Sequence, residues 1–165
     1  MSDTDAPASE ERLRAAIGPR ADYYLRRWRE MDASGRKASW NWPACLANLY
    51  WFLYRKMWLA TVVFILANIV VSMVPAVVPI RNLYVIFMLI GLTFITGYYG
   101  NLLYRRQIEK LVAGPATLEQ LRARGGTSPL ALGIALALTA VAAVPLAIQV
   151  YQQVQAQRAA RLHSP

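Results

Sequence analysis

The sequence predicts an all-α membrane protein with three transmembrane helices, a short interfacial or re-entrant helix and a cytoplasmic N-terminal helical arm. Three observations predict it. Three apolar runs of about 20 residues are each long enough to cross a hydrocarbon core at about 1.5 Å per residue. All nine acidic residues lie within Asp3–Asp32 or at Glu109 and Glu119, so Ala33–Ile108 carries none. The basic residues alternate between dense and sparse loops, as positive-inside topology requires.

The net charge is +9, from 18 Lys+Arg and 9 Asp+Glu. A basic protein is often a nucleic-acid binder. Here the basic residues flank apolar segments instead of forming one soluble face, so no nucleic-acid partner is expected. Cys45 is the only cysteine and His163 the only histidine, which excludes an intrachain disulfide and a cysteine or histidine metal cluster. Cys45 reads as a small apolar residue at the interface, with palmitoylation as the alternative. No apolar run follows Met1, so no cleavable signal peptide is expected.

The arm spans 1–38. Ser9 before Glu10 and Glu11 reads as an N-cap with acids in the first turn, where the helix dipole favours them. Leu13, Ala16 and Ile17 form its short apolar face, and Gly18-Pro19 ends it and opens the next helix. In that helix, Arg20–Asp32, apolar residues recur at Ala21, Tyr24, Leu25, Trp28 and Met31. Its apolar face packs on the protein's own cytoplasmic side or lies on anionic lipid.

Residues 39–58 form the interfacial element. Asn41-Trp42-Pro43 reads as a helix start, with Asn as cap and Pro in the first turn. Ala44–Tyr54 is apolar except for Asn48 and too short to cross. Trp40, Trp42, Trp51, Trp58 and Tyr104 are the expected interfacial anchors. The helix is expected to run on through Arg55-Lys56.

Residues 59–151 hold the three spans, with a cytoplasmic loop at 104–129. The first is Leu59–Val78, ended by Pro75 and Pro79, and a tight turn at Arg81-Asn82 follows. The second is Leu83–Leu103, whose helix continues through Tyr104, Ile108, Leu111 and Val112 until Gly114-Pro115 stops it. Thr117 and Gln120 fit a capping box for a short helix at Leu118–Arg124, and Gly125-Gly126 breaks it. The third span is Leu130–Tyr151. Small pairs such as Gly133/Ala137 suit close packing on the Gly97/Gly100 face of the second span, or on another copy. Residues 152–165 read as a polar tail. Asn68, Thr93 and Thr96 are the deepest polar groups. Asn68 reads first as an interhelical hydrogen bond and otherwise as a pore or substrate contact.

Lysines and arginines number ten before Leu59, one between the first two spans, five in the next loop and two in the tail. That order places the N-terminus in the cytoplasm and the C-terminus outside.

Several blocks together resemble a bacterial family catalogued as domain of unknown function 2628. They are Ala21–Leu25 with Trp28, Ser39-Trp40-Asn41-Trp42, Phe52–Trp58, Asn101–Arg106 with Lys110, and Gly125–Ser128. The resemblance covers roughly Ile17 to Leu130. It departs at Ala44–Tyr50, where the family carries aromatics and a Gly-Pro. It implies a small bacterial inner-membrane protein and no assigned activity.

No phosphate-binding glycine loop, nucleophile elbow or paired carboxylates occurs, so no catalysis, cofactor or metal is expected. The one constellation that points to a site is Arg55, Lys56, Arg105, Arg106 and Lys110. Adjacent antiparallel spans would bring these residues onto one cytoplasmic rim, as topology-setting charge or as a site for anionic phospholipid or an acidic partner. The expected function is a non-enzymatic accessory, scaffold or regulatory protein, with a membrane-protein partner or a second copy. The alternative is a component of an oligomeric transporter or channel.

Overall fold

The computed structural model describes residues 5–77 and 82–162. Among the described residues there are helices and no strand: α1 Asp5–Ile17, α2 Ala21–Ala33, α3 Trp42–Tyr54, α4 Trp58–Val77, α5 Asn82–Ala113, α6 Leu118–Arg124 and α7 Pro129–Leu162. Three of these, α4, α5 and α7, are long and apolar enough to cross a membrane. The all-α, three-span architecture is therefore present, with α3 as the short additional helix.

The buried core sits at one end of the molecule. Tyr24, Leu25, Trp28 and Met31 of α2 join Ala16 and Ile17 of α1, Trp51 and Phe52 of α3, Tyr104 and Ile108 of α5 and Leu121 of α6. Each of the five apolar positions spaced along α2 is buried, so this face packs on the protein itself. The three spans expose most of their apolar side chains, as helices solvated by lipid do.

The chain enters this end by a down-and-back path along α5. Asn101 Nδ2 donates to Ser39 Oγ at 2.8 Å, and Asn41 N–H donates to the Gly97 carbonyl at 2.8 Å. Asn41 then caps α3 by accepting from Ala44 N–H at 2.9 Å. At the other end of α3, Gln107 Nε2 donates to the Lys56 carbonyl at 3.2 Å. Gly97 and Gln107 are about 15 Å apart along α5. Thus α3 starts beside the apolar part of α5 and climbs back to its charged part. Close approach depends on small residues. A Cβ added at Gly97 would lie 2.7 Å from Cys45 Cβ, and one at Gly100 would lie 2.7 Å from Ala44 Cβ.

Several local expectations are corrected. Helix α1 already includes Asp5, a turn before Ser9, so Ser9 lies within the helix and is not its cap. Helices α3 and α4 are not continuous. Met57 N–H donates to the Phe52 carbonyl at 2.8 Å and Lys56 N–H to the Leu53 carbonyl at 3.1 Å, with Lys56 left-handed at φ 54°. This is a Schellman ending with lysine where glycine is usual. Helix α3 itself bends at Asn48, whose φ of 20° and ψ of −93° are non-helical. Pro75 does not end α4, which continues to Val77. Asn68 Nδ2 donates to the Phe64 carbonyl of its own helix at 2.7 Å, so its bond is not interhelical. The Gly97/Gly100 face is taken by α3, and among the described residues nothing lies within 4 Å of a Cβ built on Gly133. Helix α7 contacts α3, with Tyr50 Oη donating to Thr139 Oγ1 at 2.8 Å. Most of the expected polar tail is helical, since α7 reaches Leu162. Met1–Thr4, Pro79, Arg81 and His163–Pro165 lie outside the described residues.

Candidate functional site at the junction of cap and spans

Helices α1, α2 and α6 form a cap over the charged third of α5. The cap is fastened by polar contacts to backbone ends. Arg12 donates to the carbonyls of Val112, Gly114 and Ala116, each at 2.9 Å. These carbonyls lie at or just beyond the C-terminus of α5, where a cation meets the negative end of the helix dipole. Gly126 N–H donates to the Ala16 carbonyl at 2.7 Å. A Cβ at Gly125 would overlap that same carbonyl oxygen, so only glycine fits.

Arg55 lies beneath the cap, only 3% exposed. Among the described residues no carboxylate pairs with it. Its guanidinium carbon instead sits 4.6 Å from the Tyr24 ring centroid, 5.1 Å from Tyr104 and 5.6 Å from Tyr54. Arg55 Nη1 donates to Tyr104 Oη at 3.4 Å, and Tyr104 Oη donates to the Ile17 carbonyl at 3.5 Å. Aromatic faces stabilise a desolvated guanidinium by about 2 kcal/mol. Burial raises the Tyr24 phenol above its ordinary pKa, against the opposing pull of Arg55, so it stays neutral.

The other cations of the expected rim have separate surroundings. Lys56 Nζ donates to the Ala123 carbonyl at 2.8 Å. Arg105 forms a two-pronged bond to Asp32, at 2.6 and 3.0 Å, and donates from Nε to Glu109 at 2.7 Å. Arg105 holds the Asp32 carboxyl below its usual pKa. Arg106 and Lys110 are exposed. Arg55 thus belongs to the core, Lys56 to the seam with α6, and Arg105 to an ion-paired cluster.

That cluster borders a groove of about 400 Å³ lined by Arg36, Lys37, Leu102, Arg105 and Arg106 together with Asp32 and Glu109. Arg36 and Lys37 were missed in the sequence as site residues. They precede Trp40 and Trp42, and nothing local places them beside α5. Of the expected anchors, Trp42 and Trp58 are 61% and 55% exposed, Trp40 is half-buried, and Trp51 and Tyr104 are buried.

Four sequence blocks therefore meet on α5: Tyr24 and Trp28, Ser39–Trp42, Phe52–Trp58 and Asn101–Arg106. The model of the family described as "Protein of unknown function (DUF2628)" matches residues 8–110. The chain belongs to the DUF2628 family. The DUF2628 match starts within α1 and ends in the charged part of α5, so it takes in all four blocks but neither α6 nor Gly125-Gly126. No curated protein and no solved structure matches the chain.

Proposed function

We propose that this DUF2628 protein is a non-enzymatic accessory, scaffold or regulatory protein of the bacterial inner membrane, with its N-terminus cytoplasmic and its C-terminus periplasmic. The observation that carries the reading is the fastening of the cap to the spans. Arg12 ties α1 to the end of α5, and Arg55 lies among tyrosines from α2, α3 and α5. A cap held this way presents a fixed soluble surface, and its outward face carries Asp22, Tyr23, Arg26, Arg29 and Glu30. Such a surface supports docking of a membrane-protein partner. The ten, one, five, two distribution of basic residues supports the orientation. The exposed Arg106 and Lys110 favour an anionic leaflet on the cap side.

Purification in mild detergent should recover a second protein in fixed stoichiometry. A homo-oligomer that passes solutes in liposomes would instead support the reading as a transporter component. Alkaline phosphatase fused after His163 should be active, and fused after Gly125 inactive. The reverse pattern would overturn the orientation.

A further inference from the structure

We propose that the groove between the α2–α3 connection and α5 binds one anionic phospholipid, an assignment that rests on the membrane reading above. The groove combines a cationic upper part with an apolar path below. Arg36, Lys37, Arg105 and Arg106 line it against two carboxylates, Asp32 and Glu109. Both carboxylates are bonded to Arg105. Among the described residues Arg36, Lys37 and Arg106 have no acidic partner, and all three are exposed. Arg36 uses Nε on Ser34 Oγ at 3.0 Å, which leaves its outer nitrogens for a ligand. Four cations against two carboxylates leave the groove with a net charge of +2, which suits a phosphate that carries no ammonium of its own.

The apolar half lies on the same stripe of α5. Ile95, Tyr98, Tyr99, Leu102, Arg105, Arg106 and Glu109 recur at helical spacing, so they share one face. Ile95, Tyr98 and Tyr99 are exposed, and Leu102 lines the groove. The stripe thus passes from lipid-facing aromatic and aliphatic side chains into bases at the point where the apolar run ends. A free phosphate would use only the upper half. A phospholipid uses both, with its phosphate among Arg36, Lys37 and Arg106 and an acyl chain along Tyr98, Tyr99 and Ile95.

The test is native mass spectrometry of the full chain exchanged into equal phosphatidylglycerol and phosphatidylcholine. The wild type should retain one phosphatidylglycerol in preference. Arg36→Gln/Lys37→Gln/Arg106→Gln should lower that retention by about a hundredfold, since each nearby cation is worth roughly fivefold. The single variant Arg106→Gln should lower it by roughly fivefold. Arg122→Gln/Arg124→Gln, which removes charge from α6, should leave it unchanged. Equal retention of the two lipids by the wild type, or full retention by the triple variant, would overturn the site. An equal loss in the α6 variant would overturn it too, by reducing the effect to net charge. Displacement by excess inorganic phosphate would overturn the lipid assignment in favour of a soluble phosphate. The co-purification experiment reads a protein and this one a lipid, so either reading can fall alone.

Discussion

Arg55 shows how one residue changes meaning between sequence and fold. Beside Lys56 and before an apolar run it has the look of a topology charge, yet its guanidinium is enclosed by Tyr24, Tyr54 and Tyr104. Burying a cation without a carboxylate is costly, and the flat faces of three rings offset that cost. Lysine, a compact point charge, cannot stack in the same way. Arg55→Lys, which keeps a buried charge but loses the stacking, should lower stability by about 2 kcal/mol, and Arg55→Met, which removes the burial cost as well, should lower it by less. Thermal unfolding in detergent measures both. Asp32 makes a smaller, pH-dependent contribution. Its folded pKa is depressed, chiefly by the hydrogen bonds from Arg105. The contribution is complete above the ordinary carboxylate value of 3.8 and is lost as pH falls through the lower folded value. The carboxylate is well exposed, so the effect should be well under about 1 kcal/mol. Asp32→Asn should remove part of the loss of stability on acidification, read as a smaller difference in melting temperature between mildly and strongly acidic buffer.

At the scale of elements, local signals were legible and distant ones were not. The capping box at Thr117 and Gln120 forms, and so does the Asn41 cap. Both depend on residues three apart, which a sequence displays directly. The break after α3 was hidden because lysine, not glycine, takes the left-handed position. The pairing of Asp32 with Arg105 spans 73 positions, and no periodicity carries it. Close packing was expected at Gly97 and Gly100, but its partner was misassigned. Small residues announce that a backbone approaches without saying which one, and α3 takes the place expected for α7. A sharp contrast follows. Gly100→Leu should wedge α3 from α5, lower the melting temperature and expose Cys45 to thiol reagents. Gly133→Leu meets open space and should leave both unchanged. Equal effects from the two would contradict the packing.

Across the whole molecule, the order of the three long apolar helices was legible. Lipid selects long apolar runs whatever they later touch. The cap was visible only as separate amphipathic helices. Its assembly depends on contacts that join the first helix to the sixth, and these are a property of the three-dimensional fold.

Those contacts impose an order in time. Arg12 finds its carbonyl acceptors about a hundred positions later, at Val112, Gly114 and Ala116, and Ala16 waits for Gly126. At about 5–20 residues per second of synthesis, the first helix is finished roughly 5–20 seconds before its last neighbours exist. During that interval the apolar sides of α1 and α2 have no finished seat. They are then open to chaperones, to the membrane surface and to proteases. A ribosome-bound chain whose emerged part ends at Ala113 should therefore be cut readily within α1, whereas one emerged through Ser128 should resist. Equal sensitivity of the two chains would mean that the first helices are seated before the last ones arrive.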